Sequence, residues 1–146
     1  MDSHRNLPAT RTRLLILTDT AILESGGSER FLRNLVGLLP SDQYDITVVQ
    51  LCAEPTGAAR LHRQQESPRL RMLYLPVTAV YGLDGLRTYW TVRRFVKTEG
   101  FHIIQSQHEK SDVFNALLPR GPLRALRVSN RRDTGCQKSS RLNLMF

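Results

Sequence analysis

Cysteine is scarce in this sequence: Cys52 and Cys136 are the only two, and they stand far apart. That spacing excludes a zinc knuckle and a disulfide framework, and it suits a reducing compartment. Long apolar runs are missing too. The longest near the start, Leu14 to Leu17, ends at Thr18 and Asp19, too short for a signal segment or a membrane span. Two phosphate-binding signatures are also absent: no Gly-x-Gly-x-x-Gly follows the first apolar run, and no Gly-Lys-Ser/Thr closes a P-loop. Acidic residues are outnumbered by basic ones, 13 to 21, for a formal charge of +8. From Arg120 onward, Arg120, Arg124, Arg127, Arg131, Arg132, Lys138 and Arg141 stand against Asp133 alone. Most of the excess is therefore local, the body is electrically ordinary, and no regular basic helix argues for nucleic acid as a partner. The expected compartment is the cytoplasm.

What remains is enough for one domain or a piece of a larger protein. The 146 residues are 40% hydrophobic and 23% charged, a composition able to bury a core. Residues 1–13 are polar and aperiodic and read as a flexible lead-in. Leu14 to Thr18 reads as a strand buried on both faces. After the loop Asp19 to Gly27, Ser28 is the expected N-cap of a helix whose apolar face is Phe31, Leu32, Leu35, Val36 and Leu39, with Pro40 as its stop. Tyr44 to Leu51 is β-branched and short, a second strand. A weak helix is expected over Ala58 to Gln65, and a third strand over Leu70 to Val77, which Pro76 confines to an edge or an end. An amphipathic helix spans Asp84 to Lys97 and stops at Gly100; a fourth strand covers Phe101 to Ser106, a short helix Ser111 to Leu118, and a fifth strand Arg127 to Ser129. Strands alternating with helices predict an α/β domain with a parallel sheet and right-handed crossovers.

In such a sheet, ligands bind at the carboxyl ends of the strands. Three segments fall there. Glu24 to Arg30 contains Gly26 and Gly27 at a helix N-terminus, where backbone can approach an anion closely and free N–H groups face it; a plain turn into the helix would use the same residues. Gln105 to Asp112 gathers Gln107, His108, Glu109 and Asp112. There an imidazole can take either proton role near neutrality and Asp112 or Glu109 can orient it, although a solvated loop has the same composition. Ser129 to Gly135 carries Arg131 and Arg132, a pair suited to phosphate or carboxylate through bidentate forks and equally at home in water. His4, His62 and His102 have no partner at metal-ligand spacing.

Taken in order, these blocks resemble the N-terminal half of the family-4 glycosyltransferases. The matching residues are Leu15-Ile16-Leu17 with Gly26-Gly27-Ser28-Glu29-Arg30, then Tyr44 to Val49, Phe101 to His108 and Ser129 to Asp133, so that the likeness runs from about Leu14 to Lys138. It implies a Rossmann-like domain over residues 14–138, one half of a GT-B fold, with residues 139–146 an end cut short before the donor domain. It further implies retaining, metal-independent transfer from a nucleotide sugar to a glycan or lipid-linked acceptor. The nucleotide sugar is substrate, and no resident cofactor or metal is implied. By the same likeness Gly26 and Gly27 approach the donor diphosphate, and His108 is the catalytic, acceptor-side histidine where the family often has His-x-His. Ser28, Gln107, Glu109, Asp112, Arg131 and Arg132 would line the acceptor side or the cleft. The alternative is a stand-alone module that binds a phosphorylated small molecule without catalysis. The Asp84 to Lys97 helix admits two readings: an interfacial helix at the inner face of a membrane, or a crossover helix that buries Leu86, Tyr89, Trp90 and Val96 on the sheet.

Overall fold

The computed structural model describes residues 11–54 and 70–130. They form an α/β domain of Rossmann-like type, a five-stranded sheet whose paired strands are all parallel, with helices on both faces. In chain order the elements are β1 (Thr12–Thr18), α1 (Gly27–Leu38), β2 (Tyr44–Gln50), β3 (Leu70–Tyr74), α2 (Leu83–Glu99), β4 (Ile103–Ser106), α3 (Glu109–Leu117) and β5 (Leu126–Ser129). The expected helix over Ala58 to Gln65 lies outside the described residues, as do Arg131 and Arg132.

The strand order is β3-β2-β1-β4-β5. The chain thus winds outward from β1 through β2 to β3, then crosses back to place β4 on β1's other side. Alternate residues of the strands feed two cores, because side chains along a strand point to opposite faces. Leu14, Ile16, Ile46, Val48 and Ile103 meet Leu32 and the flanking Phe31, Leu35, Val36 and Leu39 of α1. Leu15, Leu17, Val49 and Ile104 meet Val92 and Val96 of α2, Phe101, and Phe114 and Leu118 from α3 and its end. The unbroken apolar run in β1 is explained by this double coverage: Leu14 to Leu17 are all buried, and each contributes on the order of 1.5–3 kcal/mol of hydrophobic stabilisation.

Local differences from the sequence expectations have physical causes. Ser28 is not the N-cap of α1. Gly26 is, extended at φ −174°, with its carbonyl accepting from Arg30 N at 3.0 Å and no side-chain cap. The third strand stops at Tyr74, before Pro76, the end that the proline allows, and it is the outermost described strand on its side of the sheet. The fourth begins at Ile103, two residues late, since Phe101 turns into the core beneath α2 and His102 Nδ1 accepts the Arg13 N–H at 2.9 Å. The short helix begins at Glu109 rather than Ser111, because two further residues are held by a cap described below. Helix α2 ends at Gly100, whose φ of +69° suits glycine. Its buried residues are Gly85, Thr88, Val92 and Val96, a stripe at three- and four-residue spacing. Leu86 and Trp90 lie opposite that stripe and are exposed, so the expectation that they pack on the sheet is corrected; Val96 is buried and Tyr89 partly so.

Candidate functional site

β1 and β4 are neighbours whose following helices go to opposite faces, α1 to one and α3 to the other. Between such strands the connecting loops diverge and leave a crevice at the carboxyl edge. Both loops that the sequence singled out arrive there.

From β1, the chain runs through Asp19 and Thr20 to the exposed turn at Gly26 and Gly27. The two glycines differ in what surrounds them. A Cβ on Gly26 would fall 1.9 Å from Glu29 Oε2, so the Glu29 carboxylate lies over this residue. Glu29 is buried and accepts the Thr20 hydroxyl at 2.6 Å through Oε1, tying the first turn of α1 to the end of β1. Around Gly27 nothing beyond its chain neighbours and the helix's own backbone lies within 4 Å of the corresponding position. A side chain at 26 would therefore have to displace the end of Glu29, whereas position 27 is open to solvent and the first N–H groups of α1 are unmet by any side-chain cap. Ser28 follows, half-buried.

From β4, Gln107 and His108 lead into α3, with His108 as its N-cap. His108 N donates to Ser111 Oγ at 2.9 Å, and Ser111 Oγ donates back to the His108 carbonyl. The strongest tie comes from β1: the Asp19 carboxylate accepts Lys110 N at 2.8 Å and Ser111 N at 2.7 Å, an acid placed on the positive end of α3. His108 Nδ1 stands 3.4 Å from Thr18 Oγ1, so the half-buried imidazole faces the last residue of β1. Lys110 Nζ donates to the Val77 carbonyl at 3.0 Å and so pins the loop after β3 to the same edge.

Beneath the crevice, on the α1 side, polar side chains replace apolar ones at the ends of three adjacent strands. Thr18 and Gln50 are register partners, and Gln107 continues β4 past Ser106, the partner of Leu17. All three are buried. Gln50 Oε1 accepts Ile22 N at 2.7 Å, while neither end of the Gln107 amide has a protein partner. Sequence reasoning singled out Gln107 but not Thr18 or Gln50; the signal was available as the first polar residue ending each buried run.

On the other face, Asp112 Oδ1 accepts from Ser106 Oγ at 2.6 Å and Ser129 Oγ at 2.8 Å. Asn115 donates to Ser106 Oγ at 3.0 Å and to the Val128 carbonyl at 3.1 Å. These residues, with Arg127, line a cavity of about 340 Å³ between α3 and β5. Asp112 therefore joins β4 to β5. The hydroxyl facing the His108 ring is that of Thr18, and Glu109 is exposed on the first turn of α3. The structure thus brings Gly26, Gly27, Ser28, Gln107 and His108 to one edge, with Asp112 behind it.

Two neighbouring groups have displaced titrations. Burial is the largest cause that pushes the Cys52 thiol up to about 11, with Glu24 and Asp19 adding to it. The Asp84 carboxyl is held below its ordinary value, first by the Thr78 N–H, then by Gly85 and Ala79. Among the described residues, no group of three or more His, Cys, Asp or Glu side chains is placed to hold a metal ion. Comparison with known protein families and with curated proteins gives no match in either.

Proposed function

We propose that this domain is the acceptor-side half of a retaining glycosyltransferase, which works with a donor-binding domain to move a sugar from a nucleotide sugar to a glycan or lipid-linked acceptor. The observation that carries the reading is that Gly27, open at its Cβ position, and His108, beside Thr18, follow the carboxyl ends of the neighbouring strands β1 and β4. A diphosphate at this turn would meet the unsatisfied N–H groups of α1 and the positive end of its dipole, which together favour an anion. His108, steadied by α3 and facing Thr18, would hydrogen-bond the acceptor or the reacting sugar. Arg131 and Arg132, which follow β5 in sequence, would meet acidic groups at the cleft. Transfer needs the leaving diphosphate stabilised where water is excluded, so the donor domain supplies the other wall.

The test is titration of the labelled full chain with UDP-, GDP- and ADP-sugars, followed by amide NMR. The expected result is that one donor shifts Gly26, Gly27 and His108, and that Gly27→Trp abolishes the shifts while leaving the spectrum folded. If no donor shifts these amides, with or without a donor-binding domain, the reading fails. Binding of a phosphorylated sugar with no transfer under any pairing would mark the chain as a stand-alone binding module.

A further inference from the structure

A helix lying on a sheet normally buries one stripe and shows water a polar face. Helix α2 buries one stripe and shows a second apolar one. Opposite Gly85, Thr88, Val92 and Val96, the residues Leu83, Leu86 and Trp90 follow one another at three- and four-residue spacing. They are 88%, 53% and 54% exposed, and Tyr81 in the loop before them is 92% exposed. An apolar groove of about 670 Å³ runs beside them to Phe114 and Leu117 of α3.

The charge along the outer half of this helix is mostly positive. Arg87, Arg93, Arg94 and Lys97 share the outer half of α2, and among the described residues none of them is in an ion pair. The guanidinium of Arg93 lies 4.8 Å from the centre of the Trp90 ring. The acids of the helix are engaged elsewhere. Asp84 accepts the Thr78 N–H at 2.6 Å, and Glu99 pairs with Arg13 at 2.9 Å and Arg71 at 3.5 Å. Asp84 stays ionised on the first turn of α2, but among the described residues no acid of the helix pairs with its outer cations.

We propose that this face, Tyr81, Leu83, Leu86 and Trp90 with the cations of α2, docks the domain on an anionic lipid surface. Bulky apolar groups flanked by uncompensated Arg and Lys are what an interface of acyl chains and acidic headgroups accepts: the apolar groups enter the headgroup boundary while the cations stay at headgroup level. Trp90, carrying Arg93 on its ring, suits that depth, since an indole favours the interfacial zone. A protein partner buried by the same stripe would have to bring its own acidic groups to four cations; an anionic bilayer offers them everywhere along the helix. The inference is independent of the sugar-transfer reading.

The full chain would be mixed with vesicles of phosphatidylcholine alone and with vesicles containing about a third phosphatidylglycerol. Binding is followed by sedimentation and by Trp90, the sole tryptophan. On the anionic vesicles the expected result is co-sedimentation with a blue shift of Trp90 emission, both reversed by high salt. Arg87→Gln with Arg94→Gln should weaken binding roughly 25-fold, about fivefold for each cation. Leu83→Ser with Leu86→Ser should abolish the blue shift, whereas Leu38→Ser, exposed on α1, should change neither. Equal binding to both vesicle types, or none to either, overturns the proposal. So does a blue shift that grows with protein concentration in the absence of lipid, which would assign the face to a second copy of the chain.

Discussion

Glu29 and Thr20 are joined by a 2.6 Å hydrogen bond that closes the loop between β1 and α1 over Gly26. Glu29 is nine-tenths buried as a residue and sits in the first turn of α1, where the helix dipole favours negative charge. The glycine turn is therefore shaped from within: its exposed half, at Gly27, is left for an outside ligand, while its inner half is filled by the chain's own acid.

Removing the donor of that bond leaves the buried carboxylate short of a partner. Thr20→Val should cost about 1.5–3 kcal/mol, the range for hydrogen bonds to charged groups. Urea unfolding followed by circular dichroism would measure it. A loss under 0.5 kcal/mol would mean that Glu29 finds its partner elsewhere.

Gly27 should show stability and binding moving in opposite directions. Because nothing crowds its Cβ position and it begins a helix, Gly27→Ala should stabilise the fold by about 0.4–1 kcal/mol through the unfolded chain. The same methyl should weaken any ligand that the turn holds. Thermal unfolding and titration on one sample would show both; destabilisation by the alanine would contradict the open turn.

Asp19 is the cap of a helix from a distant strand. Asp19→Ala leaves Lys110 N and Ser111 N unmet and should cost about 1–2 kcal/mol, as the loss of a good N-cap does. Since His108 precedes those residues, its amide and ring signals should shift in NMR while those of α1 stay fixed. An unmoved His108 would separate the cap from the position of the imidazole.

Cys52 should be a slow thiol. Its folded pKa of about 11 lies above the ordinary value, so the neutral form is favoured in the native state. The stabilisation linked to it is complete below the unfolded pKa and is lost as pH rises through about 11. Iodoacetamide labelling of the native chain, read at Cys52 by peptide mass, should rise with a midpoint near 11 and be minimal at pH 8. A midpoint near 8.5 would place the thiol in water.

The sequence by itself determined the order of elements and the edge at which they meet. The Leu14 to Leu17 run demanded cover on both faces, Pro40 and Gly100 stopped their helices, and β3 ended before Pro76, all through local sterics and hydrophobic periodicity acting within a few residues. The glycine turn and His108 were legible for the same reason. Tertiary structure decided what depends on two distant segments at once. The Asp19 cap on α3, the burial of Thr18 and Gln50, and the pairing of Asp112 with Ser106 and Ser129 each join parts of the chain that no periodicity links. The facing of α2 was decided in the same way. Its apolar residues encircle the helix enough to offer two stripes, and the small side chains of Gly85 and Thr88 let one of them seat closely, with a Cβ on Gly85 falling 2.2 Å from the Val80 carbonyl. Close packing against that loop fixed the inner face, and Trp90 was left outside.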